Sequence, residues 1–138
     1  MKDALLEEPY HPAPTGSTGH SGDRGAMRML SCVIRPESLE AVTTALNALG
    51  VGGMTVTDVR GFGRQKGQVE HYRGGEYVIR FLPKVRIDVA VRADEVDAAM
   101  AAIKQSAHTG QVGDGKVFVN NVHNAVRIRT GERGINAL

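Results

Sequence analysis

Between positions 85 and 92, Val85, Ile87, Val89 and Val91 alternate with Arg86, Asp88, Ala90 and Arg92. A period of two over eight residues describes a β-strand with one face against a core and the other turned away from it. A sheet built on such a strand needs a second layer, and the flanking sequence supplies two candidates. Leu39, Val42, Leu46 and Leu49 recur at helical spacing, as do Val96, Met100, Ile103 and Ala107. Ser38 and Asp94 stand where N-caps belong, and Gly50 and Gly110 follow the two helical patterns. Glu37 and Glu40 suit the positive end of the first helix, and Lys104 and His108 the negative end of the second.

Around these helices lie further strand patterns. The apolar run Met29–Ile34 reads as a buried strand ended by Pro36, and Met54–Val59 alternates against threonine. Val117, Val119 and Val122 mark another strand after a glycine-rich turn, and Val126–Ile128 a short additional one. The resulting order, β-α-β-β-α-β, predicts an α+β ferredoxin-like sandwich with both helices on one face of an antiparallel sheet. The opposite face also needs cover. In a chain of 138 residues, another copy of the same chain is the economical source, so a homo-oligomer is expected.

Two stretches fall outside this periodicity. Residues 1–26 are rich in Pro, Gly, Ser, Thr and His and offer few core anchors, so they read either as a disordered leader or as sequence ahead of a true start at Met27. Residues 61–76 are glycine-rich and charged, and a long loop without structure of its own inside a small domain is usually functional. There is one cysteine, Cys32, which has no internal disulfide partner and reads as a buried small hydrophobe in a reducing, cytoplasmic setting. A net charge of +2 is too small to argue for nucleic acid. The ferredoxin-like order is shared with RNA-binding modules, but the central strand 85–91 lacks the aromatics on which bases stack. His108 and His123 stand alone, and no base beside a phosphate site points to hydrolysis, so a non-enzymatic role is expected.

Four short segments carry candidate chemistry. In GDGK, Gly113, Gly115 and Lys116 surround Asp114, a composition that forms either a hairpin turn or a nest of backbone N–H groups for phosphate. In RIRTGE, Arg127 and Arg129 alternate along what reads as extended chain, presenting two guanidinium forks to one side. GFGRQKG combines Gly61, Gly63 and Gly67 with Arg64, Gln65 and Lys66, and the Gln65 amide oxygen is a donor of the kind magnesium accepts. YRGGEY places Tyr77 at the far part of the same loop.

Taken together and in order, GMTVTDVRGFGRQKG (Gly53–Gly67), YRGGEY (Tyr72–Tyr77), TGQVGDGKVFV (Thr109–Val119) and RIRTGE (Arg127–Glu132) resemble the PII nitrogen-regulatory signalling family, across Met27–Leu138. The resemblance implies a homotrimer with nucleotide clefts between subunits and a protruding T-loop, here about Gly63–Phe81. It implies ATP or ADP contacts from Thr55, Gly63, Arg64, Gly113, Asp114, Gly115, Lys116, Arg127 and Arg129. It places 2-oxoglutarate on Gln65, Lys66, Gly67 and Lys84, with Mg2+ on Gln65. Asp88 and Ala90 depart from the glutamate and β-branched residue usual in the family near the adenine. Partners implied are an ammonium transporter, which would be the one link to a membrane, nitrogen-assimilation enzymes, and a nucleotidyltransferase acting on Tyr77. Gly75 replaces the family's usual alanine or serine and has no hydroxyl to phosphorylate. A specialised relative serving nitrogenase or inorganic-carbon uptake is the alternative within the family.

Overall fold

A computed structural model of the chain describes residues 25–63, 71–72, 76–77 and 80–138. The leader expected over 1–26 lies outside the described residues except for Gly25 and Ala26. Ala26 is tied to the domain, its carbonyl accepting from Ala93 N at 2.9 Å. The elements are β1 (Met27–Ile34), α1 (Leu39–Ala48), β2 (Thr55–Gly61), β3 (His71–Tyr72), β4 (Glu76–Tyr77), β5 (Leu82–Arg92), α2 (Val96–Ala107) and β6 (Gly115–Val122). Among the described residues, no helix is long and apolar enough to cross a membrane.

Four strands form one sheet in the order β2-β5-β1-β6, with each neighbouring pair antiparallel. That is the ferredoxin-like arrangement the alternation predicts. The register sets Leu30 beside Val89, Cys32 beside Ile87 and Ile34 beside Val85 on one face. Against it α1 packs Val42 and Leu46, and α2 packs Ala99, Ile103 and Ala107. Because side chains alternate along a strand, Ser31, Val33, Lys84, Arg86, Asp88, Lys116 and Phe118 fall on the other face, which no helix among the described residues covers.

Several boundaries differ from the sequence reading. β1 starts at Met27, two residues ahead of the apolar run, and Met27 is itself buried. Leu49 leaves the core: α1 stops at Ala48, Gly50 turns the chain at φ +81°, and Leu49 is 48% exposed. Ser38 makes no side-chain cap. Pro36 opens a 3-10 turn that runs into α1, and Ser38 is helical itself. Before α2 the Glu95 carboxylate, not Asp94, accepts from a free backbone donor, Arg92 N, at 3.1 Å. Asp94 instead lies 3.4 Å from Arg92 Nε.

The loop between β2 and β5 is not without structure. His71 and Tyr72 pair with Tyr77 and Glu76 in an antiparallel ladder two residues long on each side, too short to show a period in the sequence. Val126–Ile128 is not a strand. Only a single bridge, Val126 to Arg133, forms there, and Ile128–Thr130 turn, closed by Gly131 N donating to Arg127 O at 2.7 Å.

Candidate functional site

At the edge of the uncovered face, a cleft of about 670 Å³ opens where β2 runs into the long loop and β5 leaves it. Its floor includes Val33, its loop side Gly61, Phe62 and Gly63, and its far wall Val112, Gly113, Gly115, Lys116 and Phe118. Lys84 reaches in from β5 beside Val59 of β2, and Lys116 lies across from Val33 on β6. Two ammonium groups from strands on opposite sides of β1 therefore share one concavity, because the register puts both on the same face.

The wall at Gly113–Lys116 is shaped by backbone that side chains disfavour. Gly113 and Gly115 have φ of +104° and +114°. A Cβ on Gly115 would stand 1.9 Å from the carbonyl oxygen of Val33, so β6 approaches β1 here only because the side chain is absent. Lys84 Nζ donates to the Gly113 carbonyl at 2.8 Å, joining β5 to this wall. Partial burial, and next the nearby Arg35 charge, hold the Lys84 ammonium below its ordinary pKa of 10.5.

The Asp114 carboxylate does not line this cleft and accepts from Thr109 Oγ1, from Thr109 N at 2.8 Å and from Gly110 N at 3.0 Å. Arg35 Nε approaches the same carboxylate at 3.4 Å, and Arg35 Nη2 donates to Val112 O at 2.8 Å. These hydrogen bonds, those of Thr109 foremost, keep the Asp114 carboxyl far below the usual carboxylate range. Asp114 thus acts as an acceptor that holds the turn. Arg35 went unread in the sequence because nothing local marks it; it meets its partner across 79 positions.

Other expected residues lie elsewhere. Thr55 is exposed at the start of β2, level with Asp88 of β5. Arg127 pairs within its own turn, 3.9 Å from Glu132 Oε1 and 2.9 Å from the O atom of Leu138. Neither these two nor Arg129 lines the cleft. Since 127–129 is not a strand, the alternation that aimed both guanidiniums one way does not hold. Asp88 is engaged inside its own chain, by the Ser31 hydroxyl and by Arg86 Nε at 3.1 Å. Arg64, Gln65, Lys66 and Gly67 lie outside the described residues, while Tyr77 ends β4 opposite His71. Among the described residues, no three His, Cys, Asp or Glu side chains gather as a metal site.

Fold and cleft together define a ferredoxin-like domain with a glycine-walled, lysine-bearing concavity at the root of a long loop. The family model described as "Nitrogen regulatory protein P-II" matches residues 27–132. The chain is 53% identical to the nitrogen regulatory protein P-II of Rhizobium etli over 112 residues, 81% of this chain and all of that protein. It is 50% identical to the nitrogen regulatory protein GlnK of Escherichia coli over 106 residues, 77% of this chain and 95% of that one. The crystal structure of Arabidopsis thaliana PII bound to citrate superposes with a TM-score of 0.68 at 35% identity, covering 82% of this chain and 92% of that one. This chain belongs to the nitrogen regulatory P-II family, whose members are signal-transduction proteins.

Proposed function

We propose that the cleft is a nucleotide sensor, taking ATP or ADP with its phosphates toward Gly113, Gly115 and Lys116 and its far side toward Gly63 and Arg64. The observation that carries this reading is the convergence of Lys84 and Lys116 on one glycine-walled cleft at the loop root. Ammonium groups and unhindered backbone N–H groups are what a polyphosphate requires. Thr55, Arg127 and Arg129 complete the site from a neighbouring copy in a homotrimer. The 97% exposure of Ile128, and the 53% exposure of Phe118 on the uncovered sheet face, support such an assembly.

Gln65 would hold Mg2+, which would supply positive charge for the anionic ligands, with 2-oxoglutarate on Gln65, Lys66 and Gly67 and its distal carboxylate on Lys84. Arabidopsis thaliana PII, a relative of this fold, is a precedent for a family member bound to a small polycarboxylate, citrate. Ligands that favour different loop arrangements shift their populations, and the loop over 63–81 then engages or releases an ammonium transporter or nitrogen-assimilation enzymes in the cytoplasm. A nucleotidyl group on Tyr77 would add charge and bulk that block docking. The role is regulatory and needs no catalytic group.

Calorimetry with ATP, Mg2+ and 2-oxoglutarate tests the reading. ATP binding that weakens about tenfold or more in Lys116→Ala is the expected result. 2-Oxoglutarate that binds equally well without ATP and Mg2+ would refute the shared-metal arrangement.

A further inference from the structure

We infer that Asp114, together with Arg35 and Thr109, positions the phosphate-facing turn without itself touching the ligand, a role that rests on the nucleotide reading above. The turn from Gly110 to Gly115 has three residues with positive φ: Gly110, Gly113 and Gly115. Glycine visits both halves of φ space almost equally, so this stretch has little preference of its own for the cleft-forming shape. Four donors fix it through one carboxylate: Thr109 N, Thr109 Oγ1, Gly110 N and Arg35 Nε. Thr109 Oγ1 also accepts from Gln111 N at 3.2 Å, and Arg35 Nη2 holds the Val112 carbonyl. The anchoring thus runs along the turn up to the residue that begins the cleft wall, while Arg35, Thr109 and Asp114 stay outside the cleft lining.

A carboxylate suits this place because it accepts on every side and donates nowhere. An amide of the same shape would turn its NH2 toward donors already there. A turn ordered before the ligand arrives spares the ligand the cost of ordering it, and affinity rises without a new contact.

ATP affinity measured by calorimetry on the full chain tests the assignment, with Lys116→Ala as the variant that reports on the cleft itself. Asp114→Asn and Thr109→Val are expected to weaken ATP about tenfold, and Thr109→Ser, which keeps the hydroxyl, to retain wild-type affinity. Hydrogen exchange at the Thr109 and Gly110 amides is expected to quicken in Asp114→Asn before any ligand is added. ATP affinity equal to wild type in both Asp114→Asn and Thr109→Val, with Lys116→Ala still impaired, would overturn the positioning role alone. A wild-type chain that does not bind ATP would remove the nucleotide reading, and this role with it.

Discussion

Lys84 Nζ donates to the carbonyl oxygen of Gly113 at 2.8 Å, so the strand that leaves the long loop is tied directly to the turn that walls the cleft. The same ammonium lies within reach of the Arg35 charge, and the two cations share one turn between them. A change at Lys84 would therefore act on the glycine wall of the cleft as well.

The pKa of Lys84 should titrate below its ordinary 10.5. The unfolded chain then holds this proton more tightly than the folded one, and stability from this group rises with pH between the depressed value and 10.5. Removing the like charge in Arg35→Gln is expected to raise the Lys84 pKa toward the ordinary value. Nitrogen NMR titration of the Lys84 ammonium in both proteins measures it, and an identical curve in the two would show that Arg35 is not felt.

Gly115→Ala should cost roughly 3 kcal/mol or more, since it adds a side chain at positive φ and drives it into backbone. The obstacle is the Val33 carbonyl at 1.9 Å, which cannot rotate away as a side chain would. Urea unfolding gives the value, and loss of less than about 1 kcal/mol would mean that β6 shifts freely along β1.

Leu46 and Leu49 lie on what reads as one helical face, yet their environments differ. Leu46 is fully buried and Leu49 is 48% exposed. Leu46→Ala is expected to destabilise by about 2–5 kcal/mol, and Leu49→Ala by less than about 1 kcal/mol. Comparable unfolding midpoints for the two variants would contradict the placement of the α1 terminus.

Cys32 is fully buried, and burial raises its thiol pKa above the ordinary 9.0. Native protein should react with a thiol reagent only as fast as the core opens, and at once when denatured. Labelling at the rate of a free thiol under native conditions would place Cys32 at the surface.

Much of the fold was legible in the residues. The alternation at Val85–Val91 identified the strand that is buried on one face, and the spacing of Val42 with Leu46 and of Ile103 with Ala107 identified the two faces that cover it. Those signals are local, since strand and helix each impose a period on the chain. The glycines of the Gly110–Gly115 turn and the two lysines were also legible, as residue types suited to anions. Where α1 ends, how the 126–133 turn closes, and which residue caps α2 were not, because competing caps and turns differ by small local energies.

Sequence alone determined the elements, their order and the residue types at the cleft, because each follows from periodicity or from what a side chain can chemically do. Only the tertiary structure decided that Lys84 and Lys116 face the same concavity, since that depends on the register of β5 and β6 against β1. It also decided that Asp114 faces Thr109 and Arg35 instead of the cleft. The physical reason is that a carboxylate goes to the donors nearest it in space, and Arg35, 79 positions away, is brought there only by the folding of the sheet.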